Sequence, residues 1–193
     1  MKVSVIIAVY KDVEALLLIF HSLEKQTYKN FEVVVAEDGD SSEVKDLLAT
    51  YATTFSFEVV HTSQKDDGVR KSKSQNNGIR KATGSYIIFI DGDCLLYSNF
   101  IENHVLLSES KNIITGRRVN VGPKYSSSLR ESKISGEWLE QNFFRKYFDI
   151  KKDAKIERHT EEGFSIKPHG ILHWLTKKVR KRPVPLLGCN MSM

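Results

Sequence analysis

Two cysteines in 193 residues, Cys94 and Cys189, stand far apart and in no metal-type spacing. That scarcity excludes a disulfide scaffold and fits a reducing cytoplasm. No uninterrupted apolar run approaches the roughly 18 residues of a membrane-spanning helix. The opening MKVSVIIAVY lacks a small-residue cleavage site and runs directly into Lys11, Asp12 and Glu14. It therefore reads as a buried strand rather than a signal peptide. The turn that follows, Val9 to Val13, has no glycine. A triphosphate-holding loop of the nucleotidyltransferase kind and a dinucleotide-binding fingerprint both need glycine there, so both are excluded. Internal repeats, low-complexity segments and the motifs of nucleic-acid modules are also missing, so no nucleic-acid partner is expected.

What is present is an ordinary globular composition, 40% apolar and 27% charged, enough for one domain with a real core. The formal net charge is +5. Its basic excess is concentrated late, with six Lys or Arg, two His and no acid from Lys167 to Arg182. Such a run suits a solvated loop or peripheral contact with an anionic membrane through residues 167–182.

The first half alternates short apolar runs with amphipathic segments. Strands are expected at Lys2–Val9, Phe31–Ala36, Phe57–His61, Tyr86–Ile90 and Ile113–Val119. Helices are expected at Asp12–Gln26, from an Asp40 or Ser41 cap to Tyr51, at Ser72–Thr83 with Gly84 as its stop, and at Asn99–Ser110. This rhythm defines an α/β fold, a mostly parallel sheet with helices on both faces. After Val121 the rhythm changes. Pro123–Leu129 reads as a Ser-rich loop and Glu131–Phe148 as amphipathic and aromatic. Lys151–Pro185 is polar and basic with a short helix at Gly170–Arg180, and Pro185–Cys189 is a last strand. The expected division is 1–121 as a ligand-binding core and 122–193 as the start of a variable region.

Ligands of an open parallel sheet bind beyond the carboxyl ends of its strands. Here those ends are Ala8-Val9-Tyr10, then Glu37-Asp38-Gly39-Asp40, then Gln64 to Gly68 followed by Arg70, then Asp91-Gly92-Asp93. Three of the four carry carboxylates, and unpaired carboxylates packed together repel unless a cation sits between them. Asp91-Gly92-Asp93 is also ordinary turn chemistry taken alone. At the end of a buried strand, facing other acidic ends, its hard oxygens suit Mg²⁺ or Mn²⁺ with positions left open for phosphate. Asp38 can accept from a nucleobase N–H. Tyr10 is either core or a stacking surface. Arg70 suits a diphosphate or is a solvated charge. Asn77 is exposed helix or a cleft contact.

The segments VSVIIAVYK, FEVVVAEDGD, DDGVRKSKSQNNGIRKATGSYIIFIDGDC and LLGCNMS together resemble the family 2 glycosyltransferases, over about the first 120 residues and the last few. The resemblance implies a GT-A, Rossmann-like fold that transfers a sugar with inversion from a nucleotide-sugar, mostly a UDP-sugar, to a glycan or lipid-linked acceptor. It implies that Ala8, Val9 and Tyr10 line the nucleotide pocket, that Asp38 binds the base and that Gly39 belongs to the donor-binding set. Arg70 and Asn77 lie near the donor. Asp91, Gly92 and Asp93 form the DxD motif, with Asp91 and Asp93 holding Mn or Mg. Bacterial members that build surface polysaccharides are the most similar, which implies a cytoplasmic protein, peripheral at the inner face of the plasma membrane. Glu37 departs from the family's more usual Asp. The family's catalytic carboxylate follows the GCNMS segment, so the base is expected beyond Met193. His104, His159, His169 and His173 are weak substitutes, since lone histidines are mostly packing or surface residues. The alternative reading is an inactive donor-binding fragment or a membrane-surface module.

Overall fold

A computed structural model of the chain describes residues 1–51, 53–109, 112–154, 163–164, 168–171, 174 and 188–193. In chain order the elements are β1 (Val3–Val9), α1 (Val13–Glu24), β2 (Phe31–Glu37), α2 (Ser42–Tyr51), β3 (Glu58–Thr62) and α3 (Lys71–Lys81). They continue with β4 (Tyr86–Asp91), α4 (Phe100–Leu107), β5 (Ile114–Thr115), α5 (Pro123–Arg130), α6 (Gly136–Asp153) and β6 (Asn190–Ser192).

The sheet order is β3-β2-β1-β4-β6-β5. β1 pairs in parallel with both β2 and β4, and β2 with β3, while β6 runs antiparallel to β4 and β5. The mostly parallel α/β fold expected from the rhythm is therefore what forms. After β3 the chain returns across the sheet to start β4 on the far side of β1. That reversal of strand order leaves a crevice at the carboxyl end of β1.

Alternation along each strand divides the core between two faces. Val3, Val5, Ile7 and Val9 of β1 and Val33 and Val35 of β2 pack with Leu16, Ile19, Phe20 and Leu23 of α1, Val44 and Leu48 of α2 and Ile101 of α4. Ile6, Val34, Ala36 and Phe89 point to the opposite face, which α3 covers. This helix is very polar and buries only Ser74 and Gly78, one turn apart. A Cβ at Gly78 would stand 3.0 Å from Ile6 Cγ2 and 3.2 Å from Ala36 Cβ, so the glycine lets the helix lie close on the sheet.

Several expectations are corrected. Pro123–Leu129 is helical, not a loop. Pro starts α5, where a missing N–H costs nothing. Its next two N–H groups, of Lys124 and Tyr125, donate to the Asp153 carboxylate at 3.2 and 3.1 Å. That cap comes from the far end of α6, so no local signal announced it. Tyr125 and Leu129, four apart, are both buried, and Tyr125 packs with Phe143 and Ile150 of α6. Arg130 then anchors this pair of helices to α1 through Asp12, at 2.6 Å, and Glu14, at 3.1 Å. The fifth strand is two residues long rather than seven. α4 ends at Leu107, short of Ser110.

Gly84 is not a left-handed helix stop. α3 ends before it in the extended residue Ala82, and a side chain at Gly84 would meet Ser4 N at 2.7 Å and Lys2 O at 2.8 Å. Close approach to β1 is what demands glycine. Gly188 and Cys189 lie in a turn and the final strand starts only at Asn190, while Pro185 to Leu187 lie outside the described residues. Most of the expected helix at Gly170–Arg180 and of the basic run 167–182 also lies outside them, as do His159 and His173. Among the described residues no helix is long and apolar enough to cross a membrane.

Candidate donor site

The crevice is built from the strand register. Ala8 of β1 sits between Ala36 and Asp91, and Val9 sits opposite Glu37. The N–H of Asp38 donates to Val9 O at 2.8 Å, carrying the pairing one residue further. Asp38 and Asp91 thus flank the carboxyl end of β1 from its two neighbouring strands.

Asp38 is buried, and its carboxylate is fully engaged. It accepts the Gln64 side-chain amide at 2.7 Å and the Arg70 backbone N–H at 2.6 Å. Gln64 in turn accepts Asn77 Nδ2 at 3.2 Å, and Asn77 Oδ1 accepts Arg80 at 3.0 Å. Asn77 is therefore a cleft residue that holds Gln64, rather than plain helix surface. Gln64 was not singled out from sequence. Only the strand order, which puts the end of β3 beside the end of β2, gives it a role.

Glu37 faces away from the crevice mouth. Its carboxylate is buried, accepts the Ser41 N–H at 2.7 Å and lies 2.9 Å from His61 Nε2. Ser41 Oγ caps α2 by accepting Val44 N–H at 3.2 Å. Asp40 pairs instead with Lys45, at 2.8 Å, which holds its carboxyl below the usual range.

Tyr10 is exposed, which removes the core reading. Its hydroxyl donates to Asp66 at 3.2 Å, and Asp66 also takes Lys11 at 2.9 Å. Lys11, first, and Tyr10 keep the Asp66 carboxyl low. Arg70 reaches Asp67 at 2.8 Å and Lys65 O at 3.3 Å, while its buried Nε donates to nothing among the described residues.

Asp91 closes the row. Its carboxylate pairs with the Lys71 ammonium. Gly92 permits a tight passage beside β1, where a Cβ would meet Ala8 O at 2.7 Å and Val9 Cα at 3.3 Å. Asp93 is exposed and, among the described residues, accepts only the Cys94 thiol, at 3.5 Å. Burial pushes that thiol well above its ordinary range, which makes it an inert neighbour. The rim carboxylates are thus not unpaired, as their clustering had suggested. Among the described residues all but Asp93 hold a cationic, amide or histidine partner, and Asp93 has only the weak thiol contact.

Among the described residues no preformed group of three or more metal-binding side chains exists. Two hard carboxylates around Gly92, one already holding a cationic group, do fit a divalent cation that keeps open positions for phosphate oxygens.

His104 is not an available base. It is 5% exposed, with Nε2–H donating to Asn190 Oδ1 at 2.8 Å and Nδ1 accepting from Ser192 Oγ at 2.6 Å. Burial lowers its pKa to about 4. His169 is exposed, with Nε2 donating to Leu106 O at 3.1 Å, away from the strand ends.

In fold, the chain is like the mannosyltransferase PcManGT from Pyrobaculum calidifontis, solved with GDP-Man and Mn²⁺. The likeness covers 61% of this chain and 35% of that one, with a TM-score of 0.54 and 19% identity. The architecture is the GT-A fold. Residues 4–169 match Glycosyl transferase family 2, and the chain belongs to that family. An uncharacterized glycosyltransferase of Rickettsia bellii is 32% identical over 139 residues, 70% of this chain and 20% of that protein. The cholesterol galactosyltransferase of Borreliella burgdorferi is 34% identical over 110 residues, 57% of this chain and 29% of its own length. The chain thus spans between a fifth and a third of these two relatives.

Proposed function

We propose that this chain is the donor-binding part of a metal-dependent glycosyltransferase that takes a UDP-sugar or related nucleotide-sugar. The sugar passes to a glycan or lipid-linked acceptor with inversion. The observation that carries the reading is the placement of Asp38 and Asp91 on either side of the carboxyl end of β1, at the reversal of strand order. A nucleobase enters against Val9 and Tyr10, with Asp38 accepting its N–H in place of the Gln64 amide. The diphosphate then lies toward β4, and Arg70, whose Nε donates to nothing among the described residues, would turn its guanidinium toward it. Asp91 and Asp93 would hold a divalent cation, and what it supplies when bound is neutralisation of the charge that builds on the leaving diphosphate. Gly92 keeps these carboxylates close enough to β1 for one ligand to meet both halves of the crevice. The proton of the acceptor hydroxyl needs a base that none of the described histidines provides.

The test is calorimetric titration of UDP and of GDP, with and without Mn²⁺, into the protein and an Asp93→Ala variant. Manganese-dependent UDP binding that disappears in the variant supports the assignment. A folded protein that binds neither nucleotide refutes it.

A further inference from the structure

Two consecutive residues at the start of α3 bridge the two carboxylates that the donor site uses. The Arg70 N–H donates to Asp38 beyond β2, and the Lys71 ammonium pairs with Asp91 at the end of β4. β2 and β4 are the immediate neighbours of β1, so residues 70–71 span the crevice beyond Val9. The lysine side chain is 42% exposed and the Asp91 side chain 23%. The pair therefore lies at the mouth of the site and can open without disturbing the core.

Lys71 and a divalent cation want the same carboxylate. An ammonium and a doubly charged ion sharing Asp91 would stand a few ångströms apart and repel strongly in a half-buried place. We propose that Lys71 is a built-in counter-cation. It occupies the cation's place beside Asp91 when no donor is bound, and it must leave before a divalent ion can bind there. The inference rests on the donor-site reading above and adds the residue that sets metal affinity in the absence of nucleotide. Lysine suits this role because its ammonium is a point charge on a flexible stem, which swings away without rearranging the backbone. The Arg70 N–H on Asp38 comes from the adjacent residue, so the start of α3 fills both halves of the crevice at once.

The test uses Mn²⁺ alone, titrated calorimetrically into the full chain and into Lys71→Met, Lys71→Arg, Lys73→Met and Asp91→Asn, each shown to be folded by circular dichroism. Lys71→Met is expected to bind Mn²⁺ about fivefold more tightly than the parent, the scale of a half-exposed ion pair. Lys71→Arg and Lys73→Met should stay near the parent, since Lys73 is exposed on the same helix. Unchanged or weaker binding in Lys71→Met, alongside parent binding that Asp91→Asn removes, overturns the counter-cation but leaves the donor site standing. An equal gain in Lys73→Met reduces the effect to a general field and also overturns it. Mn²⁺ binding by none of the proteins overturns the counter-cation, because removing Lys71 then opens no place for the ion, and leaves the donor site to the nucleotide titration above. Binding untouched by Asp91→Asn overturns both readings, because Asp91 is then no metal ligand.

Discussion

Mild acid should loosen this protein through one side chain, His104. Its ring is buried, and both nitrogens are already committed. Asn190 Nδ2 donates to Arg117 O at 3.1 Å, which fixes the amide so that Oδ1 faces the imidazole. Nε2 therefore carries the proton. Nδ1 accepts from Ser192, whose oxygen accepts from the Tyr86 hydroxyl at 2.6 Å. A second proton would put a charge on a ring shut away from water, and that burial lowers the pKa to about 4 from an ordinary 6.5. Below the unfolded value the unfolded chain binds a proton that the folded chain refuses. Stability is therefore complete above that value and drains away as the pH falls toward the folded one. The full gap corresponds to about 3 kcal/mol, of which about 2 kcal/mol is lost between roughly pH 7.5 and 5.

Urea unfolding of the parent and of His104→Gln at those two pH values isolates the effect, because the rest of the chain is the same in both proteins. The parent should lose about 2 kcal/mol more than the variant. Equal losses would refute the buried neutral imidazole. They would also refute its role in tying β6 to β4 and α4.

Three further outcomes follow from the same contacts. Gly92→Ala should fold but weaken manganese-dependent UDP binding about tenfold or more, since a Cβ 2.7 Å from Ala8 O pushes the Asp91–Asp93 turn off β1. Nucleotide titration measures it. Glu32 is fully buried, and burial alone would raise its carboxyl, but hydrogen bonds from Lys2, Ser4 and Thr83 outweigh that and hold it at about 2. Glu32→Ala strands those donors and should cost about 2–3 kcal/mol in urea unfolding. For the parent, this carboxylate's contribution is present above its unfolded pKa and is lost as the pH falls toward 2. Arg130→Ala removes a half-exposed clamp on Asp12 and Glu14 and should cost about 0.5–1 kcal/mol. That cost should shrink in high salt, which thermal unfolding at two ionic strengths would read.

How much of this was legible from residues alone depended on the distance over which each residue acts. β1, β2 and β4 announce themselves because a strand buried on both faces must be mostly apolar, as in Val5–Val9, Val33–Ala36 and Ile87–Ile90. The parallel order then follows from helices set between them, and with it the row of carboxylates at the strand ends. The errors sit where the determining partner is remote in sequence. α5 looked like a Ser-rich loop because its cap, Asp153, lies at the end of another helix. Gly84 looked like a helix stop because its true neighbour is β1. Within the site the same rule separates Asp38 from Gln64. Asp38 lies at a strand end that sequence can find. Gln64 gains meaning only once β3 is known to lie beside β2, which brings its amide 2.7 Å from that carboxylate. Lys71 is the extreme case. In sequence it is one more cation in a basic, polar helix, and only the close lie of that helix, made possible by Gly78, aims it at Asp91. Charge clustering in sequence therefore signalled which strand ends the fold gathers into one rim but not how that rim is neutralised, because a row of carboxylates draws its counter-charges from whichever segments the fold delivers to it.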